Sequence, residues 1–173
     1  GFEALLRWNH PRRGVIPPSE FIPVAESCGL IVQLGRFAMQ QAATDLANWR
    51  KQLGDIDLSV SVNLSSRQLL RQDLVGDVRN ILASIKLQPN RFRLELTESL
   101  VMNNPEQAEH ILARLKKLGV GLSLDDFGTG YSSLSYLTQF PFDTIKIDKS
   151  FVDDSTSKRS VLVRSMVNMA HEL

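Results

Sequence analysis

At 173 residues, 43% hydrophobic and 23% charged, the chain has enough apolar material for one sizeable core and the length of a single domain. Its formal net charge of +1 excludes the strong field that a nucleic-acid polymer or an acidic membrane surface would require, so a phosphate-bearing ligand has to be held by a local site. Cys28 is the only cysteine, which excludes an intrachain disulfide and suits a reducing compartment. Its setting, Ala25-Glu26-Ser27-Cys28-Gly29, reads as a helix end rather than a reactive thiol. No apolar run approaches the roughly 18 residues of a membrane helix, and nothing at the start reads as a signal peptide. A cytoplasmic domain with no membrane contact from this segment is expected, with an anchor elsewhere in a parent protein left open.

In chain order, residues 2–8 form the first β-type run. Leu34, Phe37, Ala38, Ala42, Leu46 and Trp49 then mark a helix ending before Gly54. A second β-type run follows at residues 58–64, and Leu70, Leu74, Val78, Ile81 and Ile85 lie on one helical stripe. Residues 91–96 make the third run. After it Asn104-Pro105-Glu106 starts a helix carrying Ala108, Ile111, Leu112, Leu115 and Leu118, which Gly119 ends. Runs at 121–125 and 144–148 complete the set, and residues 160–173 are helical in pattern. Strands alternating with helices imply parallel strands joined by right-handed crossovers. No linker, low-complexity segment or second domain is evident.

Strand parity places apolar and polar side chains on opposite faces. Val60, Val62 and Leu64 oppose Ser61 and Asn63. Phe92, Leu94 and Leu96 oppose Arg93 and Glu95, and Leu122 and Leu124 oppose Ser123 and Asp125. Ile145 and Ile147 oppose Thr144, Lys146 and Asp148, and in the first run Phe2, Ala4, Leu6 and Trp8 oppose Glu3, Leu5 and Arg7. An open sheet with one solvated face would give this pattern. Parallel sheets are rarely exposed on one side, however, so a barrel with polar groups near the C-terminal strand ends is the better reading.

That inner face collects Glu3, Asn63, Glu95, Asp125 and Lys146 from five strands, with Arg7 beside Glu3. Three carboxylates and an amide oxygen are hard ligands suited to Mg²⁺ or Mn²⁺. His10, His110 and His171 have no spacing that suggests ligation. Asp126 could join Asp125 at a cation, since adjacent carboxylates repel unless a cation or proton intervenes, or the pair could simply begin a solvated loop. Such a site fits phosphodiester hydrolysis by two divalent ions, with Lys146 orienting water or offsetting charge and Arg7 gripping a phosphate. Lys146 and Arg7 could instead be interior ion-pair partners of Glu95 and Glu3. The Gly-rich loop at 126–133 matches neither a P-loop nor a dinucleotide fingerprint; it suits a tight turn or a mobile active-site loop. A glycosidase using Glu95 and Asp125 as its carboxylate pair fits less well, because Asn63 and Lys146 suit metal and phosphate better.

These residues resemble the EAL family of cyclic-di-GMP phosphodiesterases. Glu3-Ala4-Leu5-Leu6-Arg7-Trp8 resembles the namesake motif, and Pro18-Ser19-Glu20-Phe21-Ile22-Pro23 the helix that follows it. Ser61-Val62-Asn63-Leu64-Ser65, Glu95-Leu96-Thr97-Glu98, Asp125-Asp126-Phe127-Gly128-Thr129-Gly130 and Lys146-Ile147-Asp148 match later motifs in order. The resemblance implies an α/β fold of the TIM-type (β/α) barrel class. It also implies metal ligation by Glu3, Asn63, Glu95 and Asp125, with Asp126 at a second Mg²⁺ or Mn²⁺. Lys146 would contact the catalytic water, Glu98 would support the loop beginning at Phe127, and Arg7, Leu6 and Asp148 would meet the substrate. The implied reaction opens one phosphodiester bond of cyclic-di-GMP to give linear pGpG. Every motif present is intact, which favours an active enzyme over the alternative of a catalytically inactive cyclic-di-GMP receptor.

The family also has a strand before the Glu3 motif, and a metal-binding glutamate and a substrate-binding glutamine later in the barrel. Residues 1–173 are therefore expected to be a partial EAL domain, truncated at both ends and unable to complete the metal site alone. Fusion to sensor or GGDEF-type domains in the parent is expected. Open strand edges make a homodimer a further expectation.

Overall fold

The computed structural model describes residues 1–54, 57–71, 73–85, 91–129, 138–151 and 157–172. Strand β1 (Phe2–Ala4) is shorter than the run at 2–8 suggests, and the chain then leaves the sheet. Trp8 belongs instead to an antiparallel hairpin of β2 (Trp8–His10) and β3 (Gly14–Ile16), registered Trp8 to Ile16 and His10 to Gly14. The turn explains the departure. His10 Nδ1 accepts from the amides of Arg12 and Arg13 at 3.1 and 3.2 Å, and Gly14 takes φ 72°, a conformation glycine adopts without steric cost. Trp8 packs edge-on against Phe21, ring centroids 6.0 Å apart. The alternation of residues 2–8 therefore cannot carry Arg7 to the face of Glu3.

Helix α1 (Pro18–Cys28) begins on a proline whose fixed φ suits a first turn and ends at Gly29 with φ 81°. Cys28 lies exposed at that end, as its sequence setting suggests. Helix α2 (Ile31–Leu53) buries Ile31, Gly35, Met39, Ala42, Ala43 and Leu46, a face rotated from the expected stripe. Phe37 and Trp49 are outside it because they flank the β1 edge, where the rings of Phe2 and Trp49 lie 5.5 Å apart. After β4 (Val60–Asn63) the expected single helix is two: α3 (Ser66–Leu69) and α4 (Leu74–Ile85). A capping box between Ser65 and Gln68 starts α3 early, so Leu69 is buried and Leu70 points to solvent.

Strand β5 (Phe92–Thr97) runs directly into α5 (Glu98–Met102). Helix α6 (Pro105–Lys117) has the predicted start, with Asn104 accepting from the Gln107 amide at 3.4 Å. Strand β6 (Gly121–Phe127) extends beyond the expected run. Strand β7 (Thr144–Ile147) is followed by a 3₁₀ turn at Lys149–Phe151 and by α7 (Ser157–Glu172). The Gly-rich loop expected at 126–133 is described only as far as Thr129; its remainder, and the last residue of the expected 160–173 helix, lie outside the described residues.

Strands β1, β4, β5, β6 and β7 form one parallel sheet in that order, an incomplete TIM-type barrel. Val60, Val62, Leu94, Leu122 and Leu124 on its outer face share one core with Leu46, Val78, Leu112 and Leu115 from the helices. Each such buried side chain contributes about 1.5–3 kcal/mol, so the outer face holds the sheet while the inner face is left to polar groups.

Candidate active site

The parallel register sets the inner-face residues beside one another. Asn63 stands opposite Glu95, Glu95 opposite Ser123, and Thr97 opposite Asp125. Asn63 Nδ2 donates to Glu3 Oε1 at 2.7 Å, linking β4 to β1. From β7, Lys146 Nζ donates to Glu95 Oε2 at 2.7 Å and to Asp125 Oδ2 at 3.1 Å, and lies 3.8 Å from Glu3 Oε2. The five residues expected to converge do so. Glu95 is the most enclosed, at 5% exposure, so its charge depends most on the ammonium.

Burial of the Lys146 ammonium works to lower its pKa. The hydrogen bonds and charges of Glu95 and Asp125 outweigh that effect and push it well above the ordinary lysine value of 10.5. Asp126 shifts up from the ordinary 3.8, through partial burial and the charges of Asp125 and Asp148, against the pull of Lys146. It holds φ 54°, the left-handed region, and its amide donates to Asp125 Oδ1 at 3.0 Å. Asp148 shifts down through its hydrogen bonds to Ser150, whose amide donates to Oδ1 at 2.9 Å. Glu98, 1% exposed, accepts from the Gly128 amide at 3.0 Å, tying the start of α5 to the loop after β6.

The substrate-contact candidates are less concentrated. Arg7 donates to the Leu6 carbonyl at 2.9 Å rather than pairing with Glu3. It lines a cavity of about 530 Å³ against Phe21 and Phe37 and, together with Glu3, another of about 300 Å³. Leu6 borders both and a further one of about 400 Å³ that reaches Asn63, Ser65 and Gln68. Two residues were not singled out from sequence. Gln68 is 4% exposed and bonds to Ser65, which the Ser-x-x-Gln spacing signals. Asp143 accepts from the Leu122 amide at 2.8 Å and pairs with Lys116, fixing the approach to β7 without a local sequence signal.

Among the described residues, no three acidic, histidine or cysteine side chains are arranged to hold a cation as they stand. The donor set nevertheless fits a hard divalent ion: Glu3, Glu95 and Asp125 already surround one positive group, and Asn63 turns its donor end to Glu3, leaving its oxygen end as a ligand atom.

The EAL domain profile matches residues 1–173. The chain belongs to the EAL domain family. It is 47% identical over 175 residues to an uncharacterized signaling protein of Caulobacter vibrioides, covering 100% of this chain and 21% of that protein. It is 44% identical over 174 residues to the cyclic di-GMP phosphodiesterase PdeR of Escherichia coli, covering 99% and 26%. The EAL chain thus spans about a fifth to a quarter of the length of these relatives. Among solved structures, the PaMucR phosphodiesterase in its c-di-GMP complex superposes with a TM-score of 0.92 at 41% identity, over 98% of this chain and 69% of that one. Among the described residues of the EAL chain, no helix is long and apolar enough to cross a membrane.

Proposed function

We propose that this EAL domain hydrolyses cyclic-di-GMP to linear pGpG in a reaction dependent on Mg²⁺ or Mn²⁺, within the cytoplasmic part of a larger signalling protein. The observation that carries the reading is the convergence of Glu3, Asn63, Glu95 and Asp125 on one small cationic site at the strand ends. The family and the names of its relatives support it. On this reading residues 1–173 are part of the full EAL barrel, and the parent supplies further strands, a further carboxylate and sensor or GGDEF-type domains.

Glu3, Asn63, Glu95 and Asp125 would hold the first ion, with Asp126 at a second. Bound there, the ions acidify water and offset charge on the phosphate oxygens. Lys146, whose pKa its carboxylate neighbours raise in the ion-free site, is assigned to hydrogen bonding rather than to proton removal. Its N–H groups orient the attacking oxygen and compensate negative charge that builds during attack. Glu98, through the Gly128 amide, fixes where the β6 loop begins. Arg7 and Leu6, which share a cavity wall with Glu3, and Asp148, whose charge acts on Asp126, are assigned to the substrate.

The test is chromatographic detection of pGpG from cyclic-di-GMP incubated with the parent protein, with Mn²⁺, with Mg²⁺ and with EDTA. Metal-dependent pGpG supports the reading. Tight binding of cyclic-di-GMP without turnover in either metal would identify a receptor instead.

A further inference from the structure

The strand-to-helix connection after Asn63 is only Leu64 and Ser65, so the position of Asn63 depends on how α3 begins. Leu64 is pinned on one side, its amide donating to the Glu95 carbonyl at 2.8 Å. Ser65 is pinned by Gln68. The Gln68 Oε1 accepts from the Ser65 amide at 3.2 Å and from Ser65 Oγ at 3.0 Å, and Ser65 Oγ accepts from the Gln68 amide at 3.4 Å. Gln68 is 4% exposed, and its amide group packs against Gly35 of α2. A Cβ at position 35 would overlap the Gln68 amide nitrogen and carbon and come 2.6 Å from Oε1.

We propose that Gln68 is a positioning residue for Asn63. Seated on Gly35, it fixes the start of α3 and so the angle at which β4 delivers the Asn63 side chain to the cation site. The inference rests on the reading of Asn63 as a cation ligand. Gln68 lies at the edge of the cavity that reaches Asn63, but its amide group is engaged by Ser65 and Gly35, so its substitution should change cation affinity more than KM for the dinucleotide. Groups that orient a ligand typically change metal affinity by about 10–100-fold when removed.

Three substitutions in the parent protein separate positioning from packing. Gln68→Met keeps the volume and removes the acceptor. Gln68→Glu keeps the acceptor, as in the common form of the capping box. Gly35→Ala places a methyl group where the Gln68 amide sits, and so displaces Gln68 from Ser65 without altering Gln68 itself.

The measurement is Mn²⁺ titration by calorimetry, alongside melting temperature in EDTA. Gln68→Met should weaken Mn²⁺ binding roughly tenfold or more, and Gln68→Glu should restore it. Gly35→Ala should weaken Mn²⁺ binding and, because it displaces a buried, hydrogen-bonded amide group, lower the melting temperature as well; the return of Mn²⁺ affinity in Gln68→Glu is the outcome that a purely packing role would not give. Should Gln68→Met fail to fold, Gly35→Ala and Gln68→Glu carry the test. The proposal is overturned if Gly35→Ala binds Mn²⁺ like wild type. If wild type and Glu95→Gln bind Mn²⁺ equally, or neither binds, the ligand assignment itself is wrong and the proposal falls with it.

Discussion

Lys146 reaches across an intervening strand to Glu95. The ammonium starts on β7 and closes on the Glu95 carboxylate of β5 at 2.7 Å, with β6 between them. Adjacent strands are about 4.8 Å apart, so only a long side chain spans the two spacings. Lysine supplies that reach, and its ammonium also meets Asp125 of the strand between.

Removing that cation should be costly to the fold. Lys146→Met leaves Glu95, Asp125 and Glu3 facing one another without compensation, one of them buried. Breaking such a pair costs about 3–5 kcal/mol when fully buried. Partial exposure of Lys146 reduces the expected loss to roughly 2 kcal/mol. Because the folded pKa lies above 10.5, the stabilisation from Lys146 is complete below that pH and is lost only as pH rises through the shifted value. Urea unfolding in EDTA at neutral pH should show the loss; a change under about 0.5 kcal/mol would contradict it.

Asp126→Asn should do the opposite to stability. The folded pKa of Asp126 is raised, so its charged form opposes folding. That cost is absent below the ordinary 3.8 and grows as pH rises past it. Asparagine removes the charge and tolerates the left-handed φ of 54°. A gain of roughly half a kcal/mol at neutral pH in EDTA, vanishing in acid, is expected. On the proposed reading turnover should fall as well, because Asp126 would hold the second ion. Equal stability of the two proteins at every pH would refute the charge argument.

Gly128→Ala should destabilise by roughly 2 kcal/mol. Gly128 holds φ 98°, and a Cβ would lie 2.8 Å from Met166 Cε and 2.9 Å from Phe151 Cε2. The substitution would also displace the amide that Glu98 accepts, so turnover should fall with stability. Urea midpoints and pGpG rates measured on one preparation check both effects. An unchanged midpoint would show that the loop accommodates the methyl group.

Alternating polar and apolar residues marked β4 to β7 and their inner faces correctly, because a parallel strand packed against helices must bury every second residue. Arg7 was misplaced for the same reason in reverse: parity holds only while the chain remains in the sheet, and it leaves after Ala4. The signal for that departure was present as Pro11 and Gly14 bracketing a short turn between Trp8 and Ile16. The face of α2 could not be read from its own residues, since Phe37 and Trp49 are as apolar as those buried and only the sheet position selects between them. Convergence on the strand ends was legible for Glu95 and Asp125. The crossing of Lys146 over β6 depends on side-chain reach and sheet curvature, which local pattern does not record.

The most direct test of the site is the rate of pGpG formation by Glu95→Gln in the parent protein at saturating Mn²⁺. Replacing this carboxylate removes the charge proposed to hold a hard cation and the closest partner of Lys146. A fall of about 10²-fold or more is predicted, with cyclic-di-GMP binding partly retained. Retention of more than about a tenth of wild-type turnover would contradict a role for this cluster in the chemistry.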